Sequence, residues 1–121
     1  MHKRHRLGQS RQFQRVRREG QSWAHPLLVL ITLRNELPYS RFGFLVSKRI
    51  GRAVARNRVK RLMREAARAR LSDIPPGWDI ILIARAAIAE ADLERIKLAL
   101  DSLLQRAGLL TKPPEMPDVD K

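Results

Sequence analysis

A run of seven residues, Leu27 to Leu33, constrains the fold of this 121-residue chain more than any other feature. The run reads LLVLITL, so both faces of a strand formed here would be apolar. A strand with one face in water alternates apolar and polar residues, whereas a continuous apolar run must be covered on both faces. The run therefore predicts a strand in the centre of a sheet.

Elements before and after this strand are also predicted by local signals. Ser10 as an N-cap, Phe13 and Val16 on one face, and Gly20 as a left-handed C-cap predict a short helix over 10–19. A loop containing Pro38 leads to a second strand over 41–48, and we expect the two strands to form a hairpin.

The second half of the chain continues the pattern. We expect an amphipathic helix over 53–70, a strand over 78–84, and a last helix capped by Asp92 and stopped by Gly108. The order helix, strand, strand, helix, strand, helix predicts a single α+β sandwich over 9–110, with helices on a mainly antiparallel sheet. Residues 1–8 are expected to be a mobile basic arm and 111–121 a disordered acidic tail.

Positive charge is concentrated in two blocks of the chain. Lys and Arg number 25 against 12 Asp and Glu, a net charge of +13. Residues 1–20 hold seven basic and one acidic residue, and residues 48–70 hold ten and one. Such a charge calls for a polyanionic partner, either nucleic acid or an anionic membrane. Since no apolar stretch has the length of a membrane span or a signal peptide, we expect a cytoplasmic protein that binds nucleic acid.

The predicted helix over 53–70 has two opposite faces. Val59, Leu62, Met63 and Ala66 form an apolar stripe, and only Glu65 in this block is acidic. Like charges one turn apart destabilise a helix unless an anion relieves them, and the planar guanidinium binds phosphate or stacks on a base. The alternative to an anion-binding face is a charged face that is merely solvated. The ten basic residues within 48–70 disfavour this alternative. The face opposite the stripe forms a cationic ridge of Asn57, Lys60, Arg61, Arg64 and Arg68.

The string from Ser47 to Glu65, SKRIGRAVARNRVKRLMRE, resembles the signature of the bacterial ribonuclease P protein component, whose centre is Arg-Asn-Arg. The similarity also takes in RQFQRVRREG, the apolar strand and IILIAR. It implies an RNA-binding subunit without a catalytic centre or cofactor of its own. The partner would be a catalytic RNA that uses Mg²⁺ to cleave the 5′ leader from precursor tRNA. It also implies a left-handed crossover from the second strand through the Arg-Asn-Arg helix to the next strand, against the usual hand.

The resemblance implies two RNA-binding surfaces. A cleft between the first helix and the sheet would take the leader, lined by Phe13, Arg17, Ile31 and Leu45. Arg17 stands where the family commonly has a second aromatic, and Ile31 where a tyrosine can occur. We therefore expect leader binding to depend more on phosphate charge, and so on salt. The second surface would contact the catalytic RNA through Lys48, Arg49, Arg52, Arg56, Asn57, Arg58, Lys60, Arg61, Arg64 and Arg68.

Other functions find little support in the sequence. There is no cysteine, no glycine-rich phosphate loop and no cluster of carboxylates, and Asp92, Glu94 and Asp101 are interpreted as capping or solvated residues rather than metal ligands. The three histidines lack metal-ligand spacing. A ribosomal or structural RNA-binding protein remains the main alternative. Specific DNA binding through a helix-turn-helix would need a short turn between adjacent helices, which is missing.

Overall fold

The computed structural model describes residues 3–8 and 10–110. It contains three α-helices and four strands within these ranges, together with several 3-10 turns. In chain order they are α1 (Ser10–Glu19), β1 (Gln21–Ala24), β2 (Leu28–Arg34), β3 (Arg41–Leu45), α2 (Ala53–Arg70), β4 (Trp78–Ala84) and α3 (Leu93–Arg106). The α+β class is confirmed, and no helix in the described ranges is long and apolar enough to cross a membrane.

The four strands form one mixed sheet in the order β1-β2-β4-β3. β2 is antiparallel to both β1 and β4, whereas β3 is parallel to β4 and is joined to it through α2. The central position predicted for the apolar run is confirmed. The predicted hairpin between β2 and β3 is wrong, because β4 lies between them. All seven residues of β2 pair with β4, whereas β3 has only five residues, one of them Gly43.

β1 was not predicted from the sequence. Its four residues, QSWA, are mostly exposed and carry no apolar pattern. The strand exists because the turn at His25 folds it back on β2: the His25 N–H donates to the Leu28 carbonyl at 2.9 Å, and the Leu27 N–H donates to Nδ1 of His25 at 3.0 Å. β1 thus covers the edge of β2 that β4 leaves open.

Each face of the sheet packs against helices, as the continuous apolar run requires. On one face, Leu30, Phe42 and Leu82 join the buried stripe of α2 and the inner side of α3 in the larger core cluster. On the other face, Val16 of α1 packs on Ile31 and Ile81 in a smaller cluster. The sheet is therefore thickly covered on one side and only partly covered by α1 on the other.

Gly20 ends α1 for a reason other than the predicted left-handed C-cap. Only Gly51, Gly77 and Gly108 have positive φ angles among the described glycines. A Cβ at Gly20 would lie 2.6 Å from the carbonyl oxygens of Val16 and Thr32. The glycine is therefore required by the close approach of α1 to β2, and Gly108 (φ 77°) alone matches its predicted role as a helix stop.

Residues 3–8, predicted as part of a mobile arm, lie beside β3 in the structure. Leu7 is 6% exposed, and its N–H donates to the Phe42 carbonyl at 2.8 Å. Nδ1 of His5 lies 2.9 Å from the Ser40 carbonyl oxygen. The predicted tail at 111–121, like residues 1 and 2, lies outside the described residues.

His25 should make folding stability depend on pH. Burial, with Arg106 nearby, lowers its pKa below 6.5, and only an unprotonated Nδ1 can accept the Leu27 N–H. As the pH falls through about 6.5, the unfolded chain binds the proton first, so the free energy of unfolding should drop. Urea unfolding at about pH 7.5 and 5.5 measures this. His25→Asn keeps an acceptor that cannot titrate, and an unchanged pH dependence in this variant would contradict the assignment.

Candidate nucleic-acid interface

The outer face of α2 carries the predicted cationic ridge. Val59, Met63 and Ala66 are buried against the sheet and α3. The helix is unbroken from Ala53 to Arg70, so the residues of the opposite face stay on one side along its length and point to solvent. The exposed members are Asn57, Arg61, Arg64 and Arg68, and Lys60 is half-buried at one margin.

The cations of the ridge differ in their partners. Arg61, Arg64 and Lys60 make no side-chain hydrogen bond or ion pair with any residue in the described part of the chain. Arg68 donates to both oxygens of Glu65, at 2.7 and 2.9 Å. Three unpaired positive groups in two helical turns repel one another, so an anion bound there would stabilise α2.

The two arginines of the Arg-Asn-Arg motif contact their own backbone. Nη1 of Arg56 donates to the Gly51 carbonyl at 2.8 Å, and Nη2 of Arg58 donates to the Ala91 carbonyl at 3.2 Å. Arg56 thereby fixes the connector between β3 and α2 (residues 46–52), and Arg58 fixes the segment that precedes α3. Each guanidinium keeps other N–H groups that could meet a phosphate, whereas Asn57 is exposed between them.

A short connector adds three cations at the start of α2. Ile50 of this connector is 8% exposed and packs in the core, and the Ser47 hydroxyl accepts from the Arg49 N–H at 3.3 Å. α2 has no acidic residue in its first turn and no side-chain cap, so its N-terminus keeps its partial positive charge. The exposed side chains anchored here are Lys48, Arg49 and Arg52.

Arg70, the last basic residue of α2, is not part of this free surface. Its guanidinium donates to both carboxylate oxygens of Asp101 on α3, at 2.7 and 2.9 Å, and to Asp73 at 3.0 Å. The hydrogen bonds to Asp101 raise the pKa of Arg70 above its ordinary value. Arg70 thus joins α2 to α3 and holds the ridge helix in place.

A pocket of about 400 Å³ lies at the edge of β3, between α1 and α2. The ring of Phe13 lies directly over Gly43, and Phe44 contributes a second ring. Lys60 and Arg64 reach the same pocket from α2. Sequence reasoning placed Phe13 and these two cations on separate surfaces, whereas the structure brings them together. The remaining lining residues of the pocket are Arg6, Leu7, Gly8 and Phe42.

Beside this pocket, the sheet leaves a row of apolar side chains partly open. Val29, Ile83 and Leu45 face each other across three strands and are half-buried. On α1, Arg17 lies about 160° around the helix axis from Arg15. Arg15 lines a cavity with Arg34 and Arg41, at the ends of β2 and β3 away from this row. Arg17 therefore lies on the other flank of α1, which faces the row, and it is exposed there.

Of the four residues predicted for the leader cleft, Ile31 does not fit. It is 8% exposed, packed under α1 with Val16 and Ile81. Ile31 pairs with Ile81, two residues along β2 from Val29, and at this position α1 covers it. Phe13, Arg17 and Leu45 remain accessible around the open part of this face, so Ile31 supports the cleft rather than lining it.

Substituting Gly43 should disturb the pocket more than the fold. The new methyl group of Gly43→Ala would overlap Cζ of Phe13 and lie 2.8 Å from its Cε1 atom. We expect the ring to be displaced, at a cost of about 1–3 kcal/mol in unfolding free energy, with weaker binding of short single-stranded RNA. Gly8→Ala is the matched control, because it lines the same pocket and its Cβ would meet nothing within 4 Å. Equal RNA affinity in the two variants would argue against the pocket.

Metal-ligand clusters do not occur in the described part of the chain: no group of three or more His, Cys, Asp or Glu could hold an ion. The two buried carboxylates, Asp79 and Asp101, are each bound by an arginine. Among the described residues, the chemistry that this surface offers is therefore cation and aromatic contact with a polyanion.

Sequence and structure comparisons find similar proteins over nearly the whole chain. The family model described as Ribonuclease P matches residues 1–108. The ribonuclease P protein component of Roseiflexus castenholzii is 43% identical, with 99% of this chain and 100% of the relative covered. That of Herpetosiphon aurantiacus is 46% identical, covering 90% and 89%.

Solved structures with the same fold come from two further bacteria. The RNase P protein of Staphylococcus aureus has 34% identity and a TM-score of 0.81, covering 88% of this chain and 97% of that one. The RNase P protein from Thermotoga maritima has 33% identity and a TM-score of 0.76, covering 84% and 96%. The helices and mixed sheet described above are therefore similar to those of experimentally determined proteins.

Proposed function

Because the chain belongs to the ribonuclease P protein family, we propose that it is the protein subunit of a ribonuclease P and binds both its catalytic RNA and precursor tRNA. The holoenzyme would cleave the 5′ leader from the precursor. The reaction would take place in the RNA with Mg²⁺ bound there, and the protein would contribute binding alone. The proposed compartment is the cytoplasm, where both RNAs would be present.

The observation that carries the proposal is the continuity of the two surfaces. Lys60 and Arg64 belong to the ridge of α2 and also line the pocket that holds Phe13. An RNA on the ridge and a single strand in the pocket would therefore be neighbours, separated by one layer of side chains. A subunit that joins substrate to catalyst requires this adjacency.

The ridge and connector are suited to the catalytic RNA. Folded RNA presents closely spaced phosphates, and exposed arginines without internal partners lose no intramolecular bond on binding them. Among the described residues, Arg61 and Arg64 have no such partner on α2, and neither do the exposed cations Lys48, Arg49 and Arg52 before it. Arg56 and Arg58 would contribute by fixing the connector and α2, and through their remaining N–H groups.

The pocket and the apolar row are suited to the single-stranded leader. Unpaired bases stack on exposed rings and lie on apolar surface, while nearby cations hold the backbone. Phe13 offers the ring, Leu45 belongs to the row, and Arg17 lies beside it with no second aromatic in its place. We therefore propose leader binding that weakens steeply with salt; a flat salt titration of leader affinity would reject it.

Reconstitution tests the proposal directly. The purified chain is added to in vitro transcribed ribonuclease P RNA and precursor tRNA at a Mg²⁺ concentration too low for the RNA alone. We expect 5′ cleavage to be restored, with no cleavage by the chain without the RNA. If the chain binds the RNA tightly but leaves cleavage unchanged, the alternative of a structural RNA-binding protein would replace the proposal.

A further inference from the structure

A groove of about 160 Å³ on the outer face of α2 combines three guanidinium groups with one carboxylate. Arg61, Arg64 and Arg68 line it together with Glu65. Residues at these spacings lie on one side of a helix, so all four side chains reach the same space. A site that is meant to receive phosphate would ordinarily exclude a carboxylate, because the two anions repel each other.

Glu65 forms an ion pair with the third guanidinium of the groove, that of Arg68. Nη2 of Arg68 donates to Oε1 at 2.7 Å and to Oε2 at 2.9 Å, whereas Arg61 and Arg64 have no partner among the described residues. The pair therefore neutralises Arg68 and takes up donors that a phosphate would use. Glu65 is also the only acidic residue between positions 48 and 70.

We propose that Glu65 is an internal competitor of RNA: it holds Arg68 out of the phosphate-binding set, so that Arg61 and Arg64 bind phosphate in this groove without it. The inference rests on the proposed role of the ridge in binding RNA. Both side chains of the pair are about half exposed, at 57% for Arg68 and 45% for Glu65. Solvent weakens such a pair, so removing the charge of Glu65 frees Arg68 without disturbing the fold.

The proposal predicts that removing the carboxylate tightens RNA binding. Glu65→Gln should bind in vitro transcribed ribonuclease P RNA about three- to tenfold more tightly, as one charge-assisted contact is gained. The slope of log K against log salt should steepen by roughly 0.7 to 0.9, the contribution of one further phosphate. Equilibrium binding over a monovalent salt titration gives both quantities.

Arg68→Ala in two backgrounds identifies the group responsible. In the otherwise unchanged chain, where Glu65 holds Arg68, the substitution should lower affinity only about two- to threefold, because no phosphate contact is lost and the Glu65 carboxylate is left unpaired beside the phosphate. In the Glu65→Gln background it should abolish the gain and restore the original salt slope. A loss of equal size in both backgrounds would show that Arg68 contacts RNA regardless of Glu65, and would overturn the proposal.

A matched control separates local release from the change in net charge. Glu94→Gln removes the same charge from an exposed side chain in the first turn of α3, and we expect almost no change in affinity. Identical effects of Glu65→Gln and Glu94→Gln would overturn the inference while leaving the proposed function intact. If Arg61→Ala with Arg64→Ala also left binding unaltered, the ridge itself would be excluded, and the proposed function would fail with it.

Discussion

Replacing Arg61 and Arg64 together by alanine is expected to weaken binding to ribonuclease P RNA by roughly one to three decades. Both side chains are exposed on the ridge and have no partner among the described residues, so the loss reflects missing contacts with RNA rather than with the protein. Each lost phosphate contact should flatten the salt slope by about one unit. Fluorescence anisotropy with labelled RNA at several salt concentrations measures both effects.

The control for this prediction lies on α3. Arg95 and Lys97 are also cations without a side-chain partner in the described ranges, and replacing both by alanine removes the same net charge. We expect that variant to bind nearly as well as the unchanged chain, and both variants to keep the circular dichroism spectrum of the fold. Equal losses would mean that overall charge, and not the ridge, determines the affinity.

The largest effect on stability is expected at Arg41. Its guanidinium donates to both oxygens of Asp79, at 2.8 and 2.7 Å, which raises the pKa of Arg41, and Asp79 is 4% exposed. Asn35 also donates to the same carboxylate at 2.8 Å. Arg41→Met would leave a buried charge with the Asn35 amide as its one remaining partner among the described residues, so we expect about 3–5 kcal/mol less unfolding free energy. Urea unfolding at neutral pH measures the loss.

Two further variants test the reason for that loss. Arg41→Met combined with Asp79→Leu removes the charge as well as its partner, and should recover most of the stability. Arg68→Met breaks an exposed ion pair of the same kind and should change the free energy of unfolding by less than about 1 kcal/mol. If the double variant were as unstable as Arg41→Met, the loss would come from packing at position 41 rather than from the unpaired carboxylate.

Local patterns were sufficient to predict the long elements of the fold. The apolar stripe of α2 gives a helix over 53–70, and the structure has Ala53–Arg70. Trp78–Ala84 and the Asp92 cap of α3, whose side chain accepts from the Arg95 N–H at 2.9 Å, were predicted equally well. In α3 the periodicity agrees with a capping residue, and in α2 and β4 the apolar pattern was sufficient without one, so tertiary packing did not have to decide between alternatives.

Strand pairing could not be read from the same patterns. β2 and β3 follow each other in the chain, which favours a hairpin, yet β4 pairs along all of β2 and separates them. The choice depends on which strand matches β2 in length and burial, a property of distant segments. β1 was missed because QSWA becomes a strand only through the turn at His25 and the uncovered edge of β2.

In the candidate site, too, local patterns predicted some features, whereas tertiary packing determined others. The ridge follows from helical periodicity alone, and four of its five side chains are exposed in the structure, while Lys60 is half-buried at one margin. The hydrogen bonds of Arg56 and Arg58 to the carbonyls of Gly51 and Ala91 depend on how α2 meets its neighbours. Likewise, Phe13 and Lys60 share a pocket only because Gly43 lets the ring lie against β3.

Site-directed photocrosslinking tests most directly whether the ridge faces the catalytic RNA. A photoreactive amino acid is placed at position 64 on the ridge or, as a control, at position 98 on α3, where Leu98 is 64% exposed. In the assembled holoenzyme, we predict that position 64 crosslinks to the ribonuclease P RNA and that position 98 does not. A ridge that yields no crosslink to that RNA, while position 98 does, would contradict the account.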